Sequence, residues 1–232
     1  MDLHEVVGRD RKRDCRPQVV HVAREACRQP RETAAGRPHA QVPPLDVLNV
    51  KNGLLRIRDR ELLAHDPKHL SPVQLPVEFD PVATCPAIEK FVTEVFPADS
   101  HCLAWEAPAW LMRPDTSIQK AVLLTGEGSN GKSTWLTLLT SFIGKLNTVS
   151  ISLHKLESNR FASSRLVGKL ANICPDLPSS HLESTSVFKA LVGNDAIDGE
   201  YKHKDGFDFT PFCRLVFSAN HPPRSEDASH AF

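Results

Sequence analysis

The sequence predicts an α/β fold, in which a parallel sheet is flanked by helices and is preceded by a small α+β module. Between residues 117 and 220 the chain alternates strand, loop, helix and strand, the order that produces parallel strands covered by helices. The first of these strands runs into a glycine-rich loop. Hydrophobic residues make up 41% of the 232, enough to bury a sizeable core.

Three segments divide the chain. Residues 1–44 are rich in arginine and proline and predict a poorly ordered basic arm. The basic run at 9–16 could contact nucleic acid, but acidic residues interrupt it, which favours a solvated arm. Residues 45–114 predict the small α+β module, and residues 115–232 predict the α/β core.

The module is predicted to begin with a β-hairpin and continue with two helices. Asn52-Gly53 lies between two β-rich runs, and this dipeptide favours a type I′ turn because both central residues need positive φ. The helices are predicted at residues 87–95 and 101–112. Taken alone, these elements favour a packing or spacing domain.

In chain order, the core is predicted to contain a strand at 118–125, a helix at 132–143, a strand within 166–174, a helix at 184–193, a hairpin within 196–209 and a strand at 213–217. Gly144 is expected to cap the first helix at its C-terminus. Asp205-Gly206 is expected to form the hairpin turn, since this dipeptide also accepts positive φ.

The glycine-rich loop indicates nucleotide binding, because it fits G-x-x-x-x-G-K-[ST] between a strand and a helix. Glycines let backbone N–H groups turn toward phosphates, and the helix N-terminus adds positive potential. Lys132 would reach the β and γ phosphates of ATP, and the Ser133 hydroxyl would hold Mg²⁺. The residues expected to bind the nucleotide are Gly126, Glu127, Gly128, Ser129, Asn130, Gly131, Lys132, Ser133 and Thr134.

Polar residues follow the two later strands of the core. The carboxyl ends of parallel strands meet at one edge of a sheet, so Asp176 and Asn220 are expected beside the loop. We predict that Asp176 holds Mg²⁺ and that Asn220 orients the attacking water, which makes them catalytic residues together with Lys132. Glu183 is the alternative acid.

The tip of the second hairpin carries a cluster of basic residues. Lys202, His203 and Lys204 lie beside Tyr201, and such a positive, partly aromatic surface could contact the phosphates and bases of single-stranded DNA. An ordinary hairpin with a solvated lysine pair explains the same residues, and charge alone favours that alternative.

Charge and cysteine content narrow the classes of binding site and cellular location that the sequence allows. Lys plus Arg and Asp plus Glu both number 28, so any nucleic-acid binding must come from local patches. The six cysteines have no zinc-finger spacing, so no structural zinc is expected, and Cys174 and Cys213 lie in apolar runs that predict buried thiols. This usage suits a reducing cytoplasm, and without an apolar stretch of about 18 residues no membrane span is expected.

The order of these motifs resembles the helicase part of phage and plasmid primase-helicases, members of helicase superfamily 3, which is related to the AAA+ P-loop NTPases. The matching segments are 49–54, the loop at 126–133 as Walker A, 168–176 as Walker B, 188–202 before the hairpin, and 215–220 as sensor 1. The resemblance implies an ATP-driven ring, usually a hexamer, that grips single-stranded DNA with central hairpins. It therefore favours DNA contact by Lys202 and Lys204.

Two features depart from that family. Asp176 stands alone where many members carry paired acids. Members also continue past sensor 1 into a segment with an arginine finger, whereas this sequence stops at Phe232, so we expect a C-terminally truncated core that binds ATP better than it hydrolyses it. Arg224 is a weak substitute for the finger, and priming would need a partner chain.

Three functions are therefore compatible with the sequence. The first is an ATP-dependent DNA helicase, the second a truncated protein that binds nucleotide without hydrolysing it, and the third a P-loop kinase with a small substrate. ATP turnover with and without single-stranded DNA distinguishes the first two functions. Assembly into a ring distinguishes the helicase from the kinase.

Overall fold

The computed structural model describes residues 43–69 and 71–225. Most of the predicted arm therefore lies outside the described residues. The strands are β1 (Val47–Val50), β2 (Gly53–Arg56), β3 (Leu62–Leu63), β4 (Val122–Thr125), β5 (Thr148–Val149), β6 (Ala171–Cys174), β7 (Ile197–Gly199), β8 (Phe207–Phe209) and β9 (Arg214–Ala219). The helices are α1 (Pro86–Val95), α2 (His101–Met112), α3 (Lys132–Ile143), α4 (Leu153–Ser158) and α5 (Ser186–Gly193).

The first hairpin forms, but its turn is displaced by one residue from the prediction. In the antiparallel sheet β1-β2-β3, Val50 pairs with Gly53, so the turn residues are Lys51 and Asn52. Asn52 and Gly53 do not form the predicted type I′ turn, and the side chain of Asn52 makes a long-range contact. Its Nδ2 donates to the Phe79 carbonyl at 2.9 Å, and its Oδ1 accepts from the Phe79 N–H at 2.9 Å.

Both predicted module helices are confirmed. The bounds of α2 agree with the prediction, and α1 starts one residue earlier because a proline at the first helical position has the φ that a helix needs. Phe96, which follows α1, meets Trp135 of α3 edge to face with 5.6 Å between ring centroids. The module therefore packs directly on the first helix of the core.

The predicted mixed α/β architecture with a parallel sheet is confirmed. Four strands pair in the order β4-β9-β6-β5, and each neighbouring pair is parallel. The bounds of α3 agree with the prediction, with Gly144 as its C-cap at φ 96°. The sequence did not indicate β5 or α4, which are too short to show a hydrophobic period.

Alternating residues of β9 bury both faces of the sheet. Val216 packs in a cluster with residues of α2, α3 and the module, whereas Leu215 and Phe217 pack in a second cluster with α4, α5 and the β7–β8 hairpin. The predicted buried thiols are confirmed, since Cys174 and Cys213 are buried and free. Burial raises the pKa of both thiols, which keeps them protonated at neutral pH.

The helix α5 ends at Gly193, as predicted, and the next residue, Asn194, is left-handed with φ 69°. The second hairpin differs from the prediction. In the second hairpin Gly199 pairs with Phe207, so the tip spans residues 200–206 and Asp205-Gly206 does not form a tight turn. Tyr201 stacks on Phe207 with 5.1 Å between ring centroids, a contact that a tight turn at Asp205-Gly206 would not provide.

A buried ion cluster joins the end of α2 to the start of β9. Asp115 accepts hydrogen bonds from Arg113 Nε at 2.7 Å, Arg214 Nη2 at 2.9 Å and Ser117 Oγ at 2.7 Å. The Arg214 guanidinium also lies 4.6 Å from the centre of the Trp110 ring. One carboxylate thus neutralises part of the charge of two buried guanidinium groups.

None of the helices in residues 43–69 and 71–225 is both long and apolar enough to cross a lipid bilayer.

Candidate active site

The glycine-rich loop connects the end of β4 to the start of α3. Gly126 has φ 145°, Ser129 φ 60° and Gly131 φ 85°, so the backbone turns sharply between the strand and the helix. A Cβ atom on Gly131 would lie 2.7 Å from Cγ1 of Val95, the last residue of α1. Glycine at this position therefore lets the module approach the loop closely.

The loop faces a cleft of about 450 Å³ at the carboxyl ends of β4, β6 and β9. The structure brings Lys132, Asp176 and Asn220 together in this cleft, as their positions in the sequence indicated. The lining residues are Gly128, Ser129, Asn130, Gly131, Lys132, Ser133, Thr134, Pro175, Asp176, Ser218, Ala219 and Asn220. Gly126 and Glu127 belong to the loop but do not line the cleft.

Parallel pairing of β6 with β9 positions the two polar residues that follow these strands. Cys174 pairs with Phe217, and the register continues past the strands because the Leu177 N–H donates to the Ser218 carbonyl at 2.8 Å. The Ser218 hydroxyl donates to the Pro175 carbonyl. These bonds hold the backbone on both sides of Asp176 against β9, and the Asp176 side chain is exposed to the cleft.

Lys132 is hydrogen-bonded inside its own loop. Its Nζ donates to the carbonyls of Gly126 at 2.6 Å and Glu127 at 2.9 Å, and to Asn130 Oδ1 at 2.9 Å. Among the described residues that line the cleft, Lys132 is the one basic side chain. The ammonium group therefore provides the main side-chain attraction for an anion in this cleft.

The donors in the cleft suit magnesium held together with a phosphate ligand. The Ser133 hydroxyl and the Asp176 carboxylate both line it. Within the part of the chain that the structure describes, no group of three or more His, Cys, Asp or Glu side chains is arranged to hold a metal. Mg²⁺ commonly takes one or two protein oxygens and completes its shell with phosphates and water.

The basic residues of the second hairpin form a separate surface, which we call the hairpin tip (residues 200–206). Lys202, His203 and Lys204 are exposed there and do not line the cleft. Lys204 Nζ lies 5.9 Å from the centre of the Tyr201 ring. At the base of the tip, Arg160 Nε lies 3.1 Å from Glu200 Oε2, so this largely exposed ion pair connects the tip to the turn after α4.

Glu183 and Arg224, the alternative acid and the substitute finger, lie outside the cleft lining. Both side chains are exposed, and the Arg224 carbonyl accepts from the Leu182 N–H at 2.9 Å. Sequence reasoning missed Val95, because no local pattern links the end of α1 to the loop.

Two family models match the chain. The D5 N terminal like family, a domain associated with primases and helicases, matches residues 3–97. A family of unknown function, DUF5906, matches residues 124–230, which include the glycine-rich loop from Gly126 onward, Asp176 and Asn220.

Solved structures of the NrS-1 C-terminal region are similar to this chain. An A form apo structure matches at 14% sequence identity with a TM-score of 0.49 and covers 82% of this chain and 42% of that one. An apo structure of residues 305–718 matches at 17% identity with a TM-score of 0.47, over 79% of this chain and 43% of that one. The chain thus spans less than half the length of these structures.

Proposed function

We propose that this chain is the ATP-binding part of a replicative DNA helicase of the phage and plasmid primase-helicase type. The observation that carries the proposal is the single cleft shared by the loop, Asp176 and Asn220. The match to the D5 N terminal like family supports the same assignment. On this proposal the core is a P-loop NTPase fold of the AAA+ type within helicase superfamily 3.

Each cleft residue then has a defined part in nucleotide binding. The loop N–H groups and the N-terminus of α3 bind the phosphates, and Lys132 neutralises charge on the β and γ groups. Ser133 and Asp176 hold the metal through oxygen. Mg-ATP supplies the reactive γ-phosphoryl group. A cleft of about 450 Å³ with a polar lining has the size of a site for such a ligand.

Hydrolysis needs two further groups on this proposal. The Asn220 amide, at the end of β9, orients the water that attacks the γ-phosphoryl group. Besides Mg²⁺, a second basic side chain must stabilise charge that develops in the transition state, because Lys132 is the one basic side chain among the described lining residues. We assign that cation to an arginine of a neighbouring subunit in a ring, so turnover depends on assembly.

The hairpin tip is the proposed contact with single-stranded DNA. Its exposed Lys202 and Lys204 present positive charge beside His203 and outside the cleft lining, and the Arg160–Glu200 ion pair lies at its base. Phosphate contacts of this kind are independent of base sequence, which suits a motor that moves along DNA.

The second candidate is a subunit that binds ATP without hydrolysing it. The single basic side chain in the described part of the cleft lining favours it, since binding needs less charge compensation than the transition state does. A primase partner belongs to the helicase proposal, whereas assembly into a ring is compatible with both candidates.

ATP binding and turnover by the whole chain test the proposal. Lys132→Ala should weaken Mg-ATP binding by at least about tenfold, because one charge-assisted contact to phosphate is lost. Ser129→Ala is the matched loop control and should change binding much less. Turnover stimulated by single-stranded DNA would support the helicase, and binding without turnover in an assembled ring would support the second candidate. Normal ATP binding and hydrolysis by Lys132→Ala would refute both.

A further inference from the structure

The hydrogen bonds of Lys132 in the free loop have a consequence for phosphate binding. An ammonium group has three N–H donors. In this structure all three have oxygen partners within the loop, namely the Gly126 carbonyl, the Glu127 carbonyl and Asn130 Oδ1. A phosphate oxygen can therefore bind Lys132 strongly only if it replaces one of these partners.

Asn130 differs from the other two partners. The Gly126 and Glu127 oxygens belong to the backbone, so moving them would require a new loop conformation. The Asn130 oxygen lies on an exposed side chain that lines the cleft and can leave by rotation about its own side-chain bonds. Asn130 is thus the partner that a phosphate displaces at the lowest cost.

The amide of Asn130 also lies across the loop. A Cβ atom on Gly126 would collide with Asn130 Nδ2, so the amide occupies the space that a side chain at position 126 would fill. Its oxygen faces Lys132 and its nitrogen faces Gly126. The Asn130 side chain therefore fills space inside the turn where the phosphates are proposed to bind, and it occupies one hydrogen-bonding position of the Lys132 ammonium group.

We propose that Asn130 is a positioning residue that occupies the place of a phosphate oxygen on Lys132 in the free loop and sets the affinity for the β and γ phosphates. The inference rests on the proposed nucleotide site. In the free protein Asn130 keeps the ammonium group at the loop, and on binding it gives up this contact. The Asn130–Lys132 hydrogen bond thus competes with the ligand, and its free energy is subtracted from the binding free energy.

Calorimetric titration with ATP, inorganic pyrophosphate and AMP tests this competition. Asn130→Ala should tighten binding of ATP and pyrophosphate by about three- to tenfold, since one exposed hydrogen bond to a charged group no longer competes. AMP, which has no β or γ phosphate, should bind with unchanged affinity. A merely structural role in the loop would alter the binding of all three ligands.

Two further variants sharpen the test. Asn130→Asp places a carboxylate beside Lys132 and should weaken ATP and pyrophosphate binding by at least about tenfold, because an ion pair must be broken and phosphate is repelled. Ser141→Ala, at an exposed position of α3 that does not line the cleft, is the control and should leave all three affinities within about twofold. Unchanged or weaker pyrophosphate binding by Asn130→Ala would overturn the inference alone. Failure of the unaltered protein to bind ATP or pyrophosphate would overturn the proposed function as well.

Discussion

Replacing Asp115 by Asn should strongly destabilise the protein, because it removes the negative charge from the buried ion cluster. The side chains of Arg113 and Arg214 are 5% and 2% exposed, and that of Asp115 is 13% exposed. Burial lowers the pKa of Arg214 to about 10, but this group remains charged at neutral pH. In the variant, two buried guanidinium groups would lack a counter-charge, which typically costs about 3–5 kcal/mol.

Urea unfolding at pH 7 measures this loss. With a slope of about 2 kcal/mol per molar urea, a loss of about 3 kcal/mol lowers the midpoint by about 1.5 M. Asp59→Asn is the matched control. The Arg56 hydrogen bond lowers the pKa of Asp59 to about 2, but the Asp59 side chain is 40% exposed, so solvent screens the pair and the midpoint should change little.

The pH dependence of unfolding gives a second measurement of the contribution of Asp115 to stability. Burial alone would raise the pKa of Asp115, but hydrogen bonds from Ser117 and Arg113 and the guanidinium charges outweigh burial and lower it. A lowered pKa stabilises the fold above the unfolded value of about 3.9, and this contribution is lost as the pH falls through the folded pKa. The difference between wild type and Asp115→Asn should therefore narrow below about pH 4. Equal midpoints at pH 7, or a gap that does not narrow, would refute the reasoning.

Three further results are expected. Replacing Lys202 and Lys204 by Ala should flatten the dependence of log K on log salt for single-stranded DNA by about 1.4 and leave ATP affinity nearly unchanged. Asn220→Ala should lower kcat by about 10²-fold in steady-state assays with little change in ATP affinity, because the amide acts on the attacking water. Glu157→Ala should lower the free energy of unfolding by about 1 kcal/mol, because Glu157 accepts backbone N–H groups at the start of α5.

Each of these results has a control. Lys51 and Lys68, both exposed on the module, can be replaced by Ala as a pair with the same loss of charge, and the salt dependence should then stay as in the wild type. An unchanged slope of log K against log salt for the hairpin variant would show that the hairpin is an ordinary solvated surface. A normal kcat for Asn220→Ala, or unchanged stability for Glu157→Ala, would contradict the corresponding assignment.

Long elements with a clear period or cap could be read from the sequence, and turns could not. The helix bounds at His101–Met112 and Lys132–Ile143 agree with the prediction, because apolar spacing and a glycine cap are local signals. The turn predictions were wrong where a residue of the expected turn, or one beside it, makes a contact that no local pattern shows. Asn52 bonds to Phe79, and the tip of the second hairpin is widened around the Tyr201–Phe207 stack.

The candidate site was predictable for a topological reason. Polar residues that follow parallel strands meet at one edge of the sheet, so Asp176 and Asn220 could be placed beside the loop without knowing any distance. The partners of Lys132 in the free loop could not be predicted, since they depend on side-chain rotamers and on carbonyl directions within the turn.

The contact between Val95 and Gly131 makes the glycine-rich loop dependent on a distant part of the chain. The last residue of α1 lies against the glycine that immediately precedes α3, and Phe96 lies against Trp135 in the first turn of that helix. The sheet and its loop, produced without the segment before residue 115, would therefore have an unsupported loop. On the proposed function, a change in the volume of the side chain at position 95 should alter nucleotide affinity although that side chain does not line the cleft, so the module would be part of the nucleotide-binding unit.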